Sequence, residues 1–316
     1  MKNMPYHFPP AILLMGPTAA GKSALALELA EQLNGEIVSV DSAQVYQGMD
    51  IGTAKPDIET RARVPHHLID LIDPTELYSA ARFVRDALAA VRGIRERGKR
   101  PLLVGGTMLY FKALLEGLSE LPMADETIRA ELDARATREG WPTLHVELGR
   151  VDPVTAARLK PTDAQRIQRA LEVWRLTGVP LSQLQGQRQG QQADETLGMC
   201  LCLALMPGDR KMLHGAIALR FDRMLKEGLV DEVRTLKSRY SLTPAMPSMR
   251  CVGYRQVWTY LDGRCDEATL RATGIAATRQ LAKRQITWLR SMPNLFTADP
   301  FTEDVSGWAK TLAAKA

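Results

Sequence analysis

Cysteine is scarce in this chain. Cys200, Cys202, Cys251 and Cys265 are the only four among 316 residues. No two of them have C-x-x-C spacing, and the five histidines complete no zinc pattern. A disulfide-stapled scaffold is therefore excluded, and free thiols in a reducing compartment are expected. Long apolar runs are missing as well: none approaches the roughly 20 residues that a membrane-spanning helix needs. Met1 to Pro10 contain no apolar signal core, so a cytoplasmic protein without a membrane anchor is expected. No internal repeat is visible.

What the sequence does contain starts at Gly16-Pro17-Thr18-Ala19-Ala20-Gly21-Lys22-Ser23. These residues match G-x-x-x-x-G-K-S/T, the P-loop. The apolar run Ala11 to Met15 precedes it and predicts a buried strand. The residues from Ser23 to Ala30 predict a helix. Glycines let such a loop curl until successive backbone N–H groups point at phosphate oxygens. The helix N-terminus adds partial positive charge. Lys22 is placed to reach an outer phosphate, and Ser23 to hold Mg²⁺. The loop implies a diphosphate or triphosphate ligand and does not by itself select ATP.

The length accommodates a P-loop core and something more. The formal net charge is +5 and the pI about 9.0. The excess is uneven: from Asp209 to Arg290, 16 Lys and Arg stand against 8 Asp and Glu. That surplus suits a polyanionic partner.

A second strand, Glu36 to Val40, ends in Asp41. In a doubly wound sheet the ligand crevice lies at the carboxyl ends of the strands, which directs Asp41 at the P-loop ligand. A carboxylate there holds Mg²⁺, directly or through water, or accepts a proton from a nucleophile. Ser42, Ala43 and Gln44 follow in the crevice loop. Gly48 to Pro56, punctuated by glycine and proline, reads as an active-site loop. His66 and His67 are sequence neighbours and point to opposite sides of a strand, which favours hydrogen-bonding roles over a shared metal. Ser79 is expected to cap a helix over Ala80 to Arg97. Pro101 to Val104 predicts a third strand. Gly105-Gly106-Thr107 then turns into a helix over Met108 to Glu116, with Thr107 as N-cap at the crevice end.

From Asp125 to Thr196 the pattern becomes helical. Thr162 and Gln165 have capping-box spacing. The helix they open carries Ile167, Ala170, Leu171 and Trp174 on one face and ends at Gly178. Gln165, Arg166 and Arg169 lie off that face, and Gln and Arg side chains suit phosphates and base edges. Gly186 to Gln192 reads as a polar loop. Met199 to Met206 returns as a fourth core strand. Arg220 offers a cation near the crevice. Arg250, Gly253, Tyr254 and Arg255 set two arginines and an aromatic around a glycine. Ala268 to Met292 predicts a long helix with Arg271, Arg279, Lys283, Arg284 and Arg290 and no acid, an arrangement that calls for an anion. Asn294 to Thr297 predicts an edge strand. The expected architecture is α/β: a P-loop NTPase-like parallel sheet over 1–122 and 199–316, interrupted by a helical insertion over 123–198.

Three functions compete on these residues: a small-molecule kinase, a P-loop ATPase or GTPase, and a transferase that holds a diphosphate leaving group while acting on nucleic acid. A GTPase is weakest, since no guanine-reading N-K-x-D follows a strand. The kinase reading leaves the basic helix and the insertion unexplained.

Six ordered motifs narrow the choice: GPTAAGKS at 16–23, VDSAQVYQGMDIGTAKP at 40–56, HHLID at 66–70, VGGTMLYFKALLEGL at 104–118, DAQRIQRALEVWRLTGVP at 163–180 and RCVGYRQ at 250–256. Together they resemble the tRNA isopentenyltransferase family from about Ala11 to Asp299. Gln47 is a departure, standing where many members have a basic residue. The resemblance implies transfer of a dimethylallyl group from dimethylallyl diphosphate to N6 of adenosine-37, beside the anticodon, in tRNAs reading codons that start with U. It implies Mg²⁺ as cofactor, tRNA as partner and no membrane, and a monomer is expected. It makes Asp41 the general base, with a role as metal ligand left open, and places Thr107 near the bridging oxygen of the diphosphate. Residues Gly16 to Ser23 and Arg220 would bind that diphosphate. Asp41, Ser42, Ala43, Gln44 and Thr107 would surround a flipped adenine. Contacts to the tRNA stem-loop are implied for Arg129, for Gln165, Arg166, Ile167, Gln168 and Arg169, and for Arg250, Cys251, Val252, Gly253, Tyr254 and Arg255. The basic helix would add Arg279, Lys283 and Arg284.

Overall fold

The computed structural model describes residues 9–119, 121–185 and 196–315. The expected polar loop Gly186 to Gln192, and most of Met1 to Pro10, lie outside the described residues.

Six short segments form a sheet: β1 (Ala11–Met15), β2 (Gly35–Val40), β3 (His66–His67), β4 (Arg100–Gly105), β5 (Cys200–Leu205) and β6 (Phe296–Ala298). Every pairing is parallel, in the order β3-β2-β4-β1-β5-β6. The central strands are apolar on both faces, the pattern that a parallel sheet covered on both sides requires. Leu13, Met15, Val38, Val40 and Leu103 share one core cluster; Ile12, Leu14, Ile37, Leu102 and Val104 share another. The HH pair contributes a two-residue edge strand that the sequence reading did not separate out. The last strand begins at Phe296, later than expected, because Asn294 adopts φ 56 and cannot lie in a strand.

The helices alternate with these strands. The first four are α1 (Lys22–Gln32), α2 (Ile58–Arg63), α3 (Ala80–Glu96) and α4 (Met108–Glu116). Then come α5 (Glu126–Glu139), α6 (Trp141–Val151), α7 (Pro153–Arg158), α8 (Ala164–Thr177) and α9 (Leu181–Leu184). The chain closes with α10 (Arg210–Lys226), α11 (Leu229–Arg239), α12 (Tyr254–Leu261), α13 (Glu267–Ser291) and α14 (Val305–Lys315). Phe83, Ala87 and Val91 of α3 and Phe111 of α4 join the cluster of Leu13 and Leu103, while Leu25 and Leu29 of α1 and Ala309 and Ala313 of α14 join that of Ile12 and Leu102. Truncating one of these fully buried leucines, such as Leu13, costs about 2–5 kcal/mol through lost burial and the cavity left behind.

The chain divides into two compact units, one formed by Met1–Leu115 with Ala193–Ala316 and the other by Glu116–Gln192. The first contains the sheet. The second packs α5 to α9 around Leu132, Leu144, Leu148, Ile167, Ala170 and Leu171. Leu121 packs on that cluster and Pro122 O accepts from Arg169 Nη2 at 2.7 Å, so both belong with the helical unit, which begins at Glu116 where 123 was expected.

Four local expectations need correction. The cap of α8 is Asp163, one residue past Thr162: its carboxylate accepts the Arg166 N–H and places negative charge at the helix N-terminus. Val173 joins the buried face of α8, and Trp174 is only partly covered. The basic helix α13 opens with Glu267, capped by Asp266, so its first turn does carry acid. Arg271 is not held for an anion, because its guanidinium forms a two-point pair with Asp222 at 2.6 and 2.8 Å.

Candidate active site

Parallel neighbours β1, β4 and β2 end side by side, so the loops after them converge. The P-loop after β1 passes through Ala19 at φ 63 and Gly21 at φ 83. Positive φ is strain-free only for glycine, so Ala19 stores a modest strain at the site. Lys22 opens α1, and its Nζ donates to Pro17 O at 2.7 Å, tying the loop across itself. Ser23 is exposed at the helix start. The Thr18 N–H is engaged within the protein. It donates to Gln285 Oε1 at 2.9 Å, so one amide of the nest is already used.

After β2, Asp41 Oδ1 accepts the Ala43 N–H at 2.8 Å, folding the chain into an Asx turn. After β4, Thr107 N–H donates to Val40 O at 3.2 Å, and Ser42 N–H donates to Thr107 Oγ1 at 3.1 Å. The Thr107 backbone still begins α4, but its hydroxyl is turned across the crevice to the Asp41–Ser42 loop. Gly105 makes this approach possible, since a Cβ there would lie 2.0 Å from Val40 O. Gln44 is anchored by Ser39 Oγ, which donates to Oε1 at 2.7 Å, and by its own Nε2, which donates to Thr53 O at 3.3 Å.

These loops line one cavity of about 740 Å³, within the usual range for small-molecule sites. It gathers Thr18, Lys22, Ser23, Asp41, Thr107 and Arg220, together with Ser42, Ala43, Gln44, Arg250, Cys251, Val252 and Arg284. Burial and the neighbouring Arg220 charge pull Lys22 down to about 7, with Asp41 acting the other way. Burial also lowers Arg220, again opposed by Asp41. Among the described residues Arg220 has no ion-pair partner. Two cations crowded around one carboxylate favour an anion between them. Burial pushes the Cys251 thiol up to about 12, which makes it a poor nucleophile.

The remaining predicted positions divide sharply. Gly16, Pro17, Ala20 and Gly21 form the loop backbone. Arg250, Arg255, Arg279, Lys283 and Arg284 are exposed, with no ion-pair partner among the described residues. Tyr254 is fully buried and its hydroxyl donates to Glu232 Oε1 at 2.6 Å; Gly253 precedes it at φ 94. In the helical unit, Gln165 and Arg166 are exposed. Ile167 is wholly buried in the core and presents no side chain to a partner. Arg129 and Arg169 both bind the buried carboxylate of Glu172, and Gln168 Nε2 donates to Asp133 at 2.7 Å.

Sequence reasoning missed two residues. Gln285 joins the P-loop to the turn after β4, and Glu232 accepts the N–H groups of Asp50, Ile51 and Gly52 at 2.6–3.2 Å. Gln285 did leave a signal: a polar residue in the buried row of Ala282 and Leu289. Glu232 left none, because the N–H groups it accepts lie about 180 residues upstream.

Mg²⁺ is compatible with the donors present. Ser23 and Asp41 both supply hard oxygens to the cavity. Among the described residues, no group of three or more His, Cys, Asp or Glu is arranged to hold a metal alone. Mg²⁺ characteristically takes one or two protein oxygens and completes its shell with water and substrate phosphates.

A P-loop sequence at the carboxyl ends of a parallel sheet, in one cavity with a carboxylate and a hydroxyl, defines a P-loop NTPase-like protein. The "IPP transferase" family model matches residues 44–292, and the "Isopentenyl transferase" model matches 10–64. A tRNA dimethylallyltransferase from Ralstonia nicotianae is 59% identical over 307 residues, covering 96% of this chain and 95% of that protein. One from Nitrosospira multiformis is 57% identical, covering 96% and 93%. The tRNA isopentenylpyrophosphate transferase of Bacillus halodurans superposes with TM-score 0.68 at 36% identity, covering 97% of each chain. A eukaryotic dimethylallyltransferase acting on tRNA superposes with TM-score 0.77 at 27% identity, covering 97% of this chain and 77% of that one. The chain belongs to the IPP transferase family, the tRNA isopentenyltransferases. Among the described residues no helix is long and apolar enough to cross a membrane.

Proposed function

We propose that the chain transfers the dimethylallyl group of dimethylallyl diphosphate to N6 of adenosine-37 in tRNAs reading codons that begin with U. The products are N6-(dimethylallyl)adenosine and diphosphate. One observation carries this reading: a single cavity is lined by Lys22 and Ser23 of the P-loop together with Asp41 and Thr107. A kinase would use the same P-loop and carboxylate; the exposed cations Arg250, Arg255, Arg279, Lys283 and Arg284 and the helical unit favour a transferase acting on RNA.

The residues divide the work as follows. The P-loop backbone, Lys22 and Arg220 hold the diphosphate and stabilise the charge that develops as it leaves. Ser23, with Asp41 directly or through water, would hold Mg²⁺, which supplies further charge neutralisation on the phosphate oxygens. The N6 amine forms a bond to C1 of the dimethylallyl group as the C1–O bond to diphosphate breaks. Asp41 accepts the proton that N6 loses. The Thr107 hydroxyl sits beside the Asp41–Ser42 loop, where it steadies the bridging oxygen. An adenine must leave its stack to bring N6 to a carboxylate inside the cavity, so the base is flipped out of the loop. The exposed Arg250, Arg255, Arg279, Lys283 and Arg284 meet phosphates of the RNA, and Gln165 and Arg166 do the same from the helical unit.

The test is an incubation with dimethylallyl diphosphate, Mg²⁺ and unmodified tRNA, read by nucleoside mass spectrometry, beside one in which ATP replaces the dimethylallyl donor. N6-dimethylallyladenosine formed only in the first supports the transferase. ATP consumption in the second, with no product in the first, returns the P-loop to a kinase.

A further inference from the structure

Gln285 is a polar residue in the buried row of α13, only 8% exposed. Both ends of its amide are engaged, and each end meets a different active-site loop. Oε1 accepts the Thr18 N–H of the P-loop at 2.9 Å. Nε2 donates to Gly106 O, in the turn after β4, at 2.9 Å. The fit at Gly106 is close: a Cβ there would stand 2.3 Å from Nε2. Thr18 and Gly106 belong to the two loops whose next chemical groups are Lys22 with Ser23 and Thr107. Only a side chain with an acceptor and a donor on one rigid plane spans both at once.

We propose that Gln285 is a positioning residue of the transfer reaction. Resting on the function proposed above, it sets the separation between the loop that holds the leaving diphosphate and the turn that carries Thr107 against Asp41. Catalysis by placed groups is steep in distance, and a shift of about 1 Å between reacting partners costs on the order of 100-fold in rate. The residues flanking Gln285 on α13 strengthen the assignment. Thr278, Leu281, Arg284 and Trp288 all line the same cavity, so α13 forms one wall of the site and Gln285 pins that wall to both loops. Arg284, next in the chain, is exposed, which puts an RNA-facing cation and the loop clamp on consecutive residues.

The test uses the full chain with Gln285→Met, which keeps the length and removes both hydrogen bonds, and Gln285→Glu, which keeps the acceptor and loses the donor. The readouts are steady-state transfer to unmodified tRNA and backbone amide exchange. Gln285→Met is expected to lower kcat by about 10–100-fold with KM for tRNA within about threefold. Amide exchange at Thr18 is expected to accelerate at least about tenfold, while β1 and the rest of α13 keep wild-type protection. Gln285→Glu is expected to retain slow exchange at Thr18 and still lose kcat. A second pair guards against a merely structural effect. Gly106→Ala displaces the same amide, so its loss and that of Gln285→Ala should not multiply in the double variant. A Gln285→Met enzyme with wild-type kcat, a loss of protection spread over the whole sheet, or multiplying losses in the double variant overturns the positioning role. A wild-type chain that forms no dimethylallylated adenosine overturns the transfer reading itself, which is a separate result.

Discussion

Arg129 Nε lies 2.8 Å from Oε1 of Glu172, a carboxylate with no exposed surface, and Arg129 Nη2 lies 3.1 Å from Oε2. Arg169 completes the set at 2.6 Å, and the Asp125 N–H adds a further donor at 2.8 Å. Two cations expected to meet RNA are therefore the counter-charges of a buried acid. Burial would raise Glu172, and its arginine hydrogen bonds outweigh that and lower it. Removing Arg129 leaves that carboxylate short of donors. Arg129→Ala is expected to destabilise the helical unit by about 1–3 kcal/mol in urea unfolding.

Arg166 behaves differently. Its side chain is 73% exposed and, among the described residues, pairs with Asp163 alone, three residues earlier. Arg166→Ala should leave the unfolding midpoint unchanged and reduce the salt dependence of tRNA binding by about one unit in the log–log slope. An unaltered slope removes Arg166 from the interface.

Glu232 holds the loop that follows Gln47. Its Oε2 accepts the N–H groups of Asp50 and Ile51 at 2.9 and 2.6 Å, and its Oε1 accepts the Gly52 N–H and the Tyr254 hydroxyl at 3.2 and 2.6 Å. Gly52 and its neighbours Thr53 to Pro56 line the cavity. Glu232→Gln turns an amide donor toward groups that are themselves donors. Amide exchange over residues 50–52 should rise by at least about tenfold, and turnover should fall with it. Unchanged exchange there contradicts the role.

Acid stability should depend on Glu36. Burial alone would raise its carboxyl, but hydrogen bonds from Arg97 and His67 outweigh burial and hold it at about 2, against an ordinary value of 4.5. Between those values the unfolded chain binds the proton and the folded one does not. The contribution is therefore present above pH 4.5 and lost as pH falls toward 2. Glu36→Gln should lower the urea midpoint at pH 7, and the gap to wild type should narrow steadily below pH 4.5 and close only as pH approaches about 2. A gap that stays constant over that range contradicts the assignment.

Local patterns carried most of the fold. The strand before the P-loop, the cap at Ser79 and the stop at Gly178 are decided by residues within a turn of one another, and the structure has each of them. The α8 cap moved by one residue because Thr162 and Asp163 are both competent caps and charge favours the acid. Pairings between distant segments left little trace. Periodicity marks Arg129 and Arg169 as off the apolar face, but it does not reveal that Glu172, inside that face, needs them. The same holds for Arg271 and Asp222, 49 residues apart. Asp41, Thr107 and Arg220 were legible as crevice residues because strand ends and a P-loop define where a crevice lies. Gln285 was marked only as a polar residue in a buried row, and Glu232 not at all, because most of their partners are backbone groups of distant loops, which no residue type announces.

Asp41 is proposed to take the proton of the attacking amine in the cavity that it lines with Lys22 and Ser23. Wild type and Asp41→Ala should be compared for formation of N6-dimethylallyladenosine by mass spectrometry, with tRNA affinity measured on the same preparations. The account predicts turnover lower by about 100–10,000-fold with tRNA affinity within several-fold of wild type. Near-normal turnover, or a loss of turnover matched by an equal loss of tRNA binding, contradicts it.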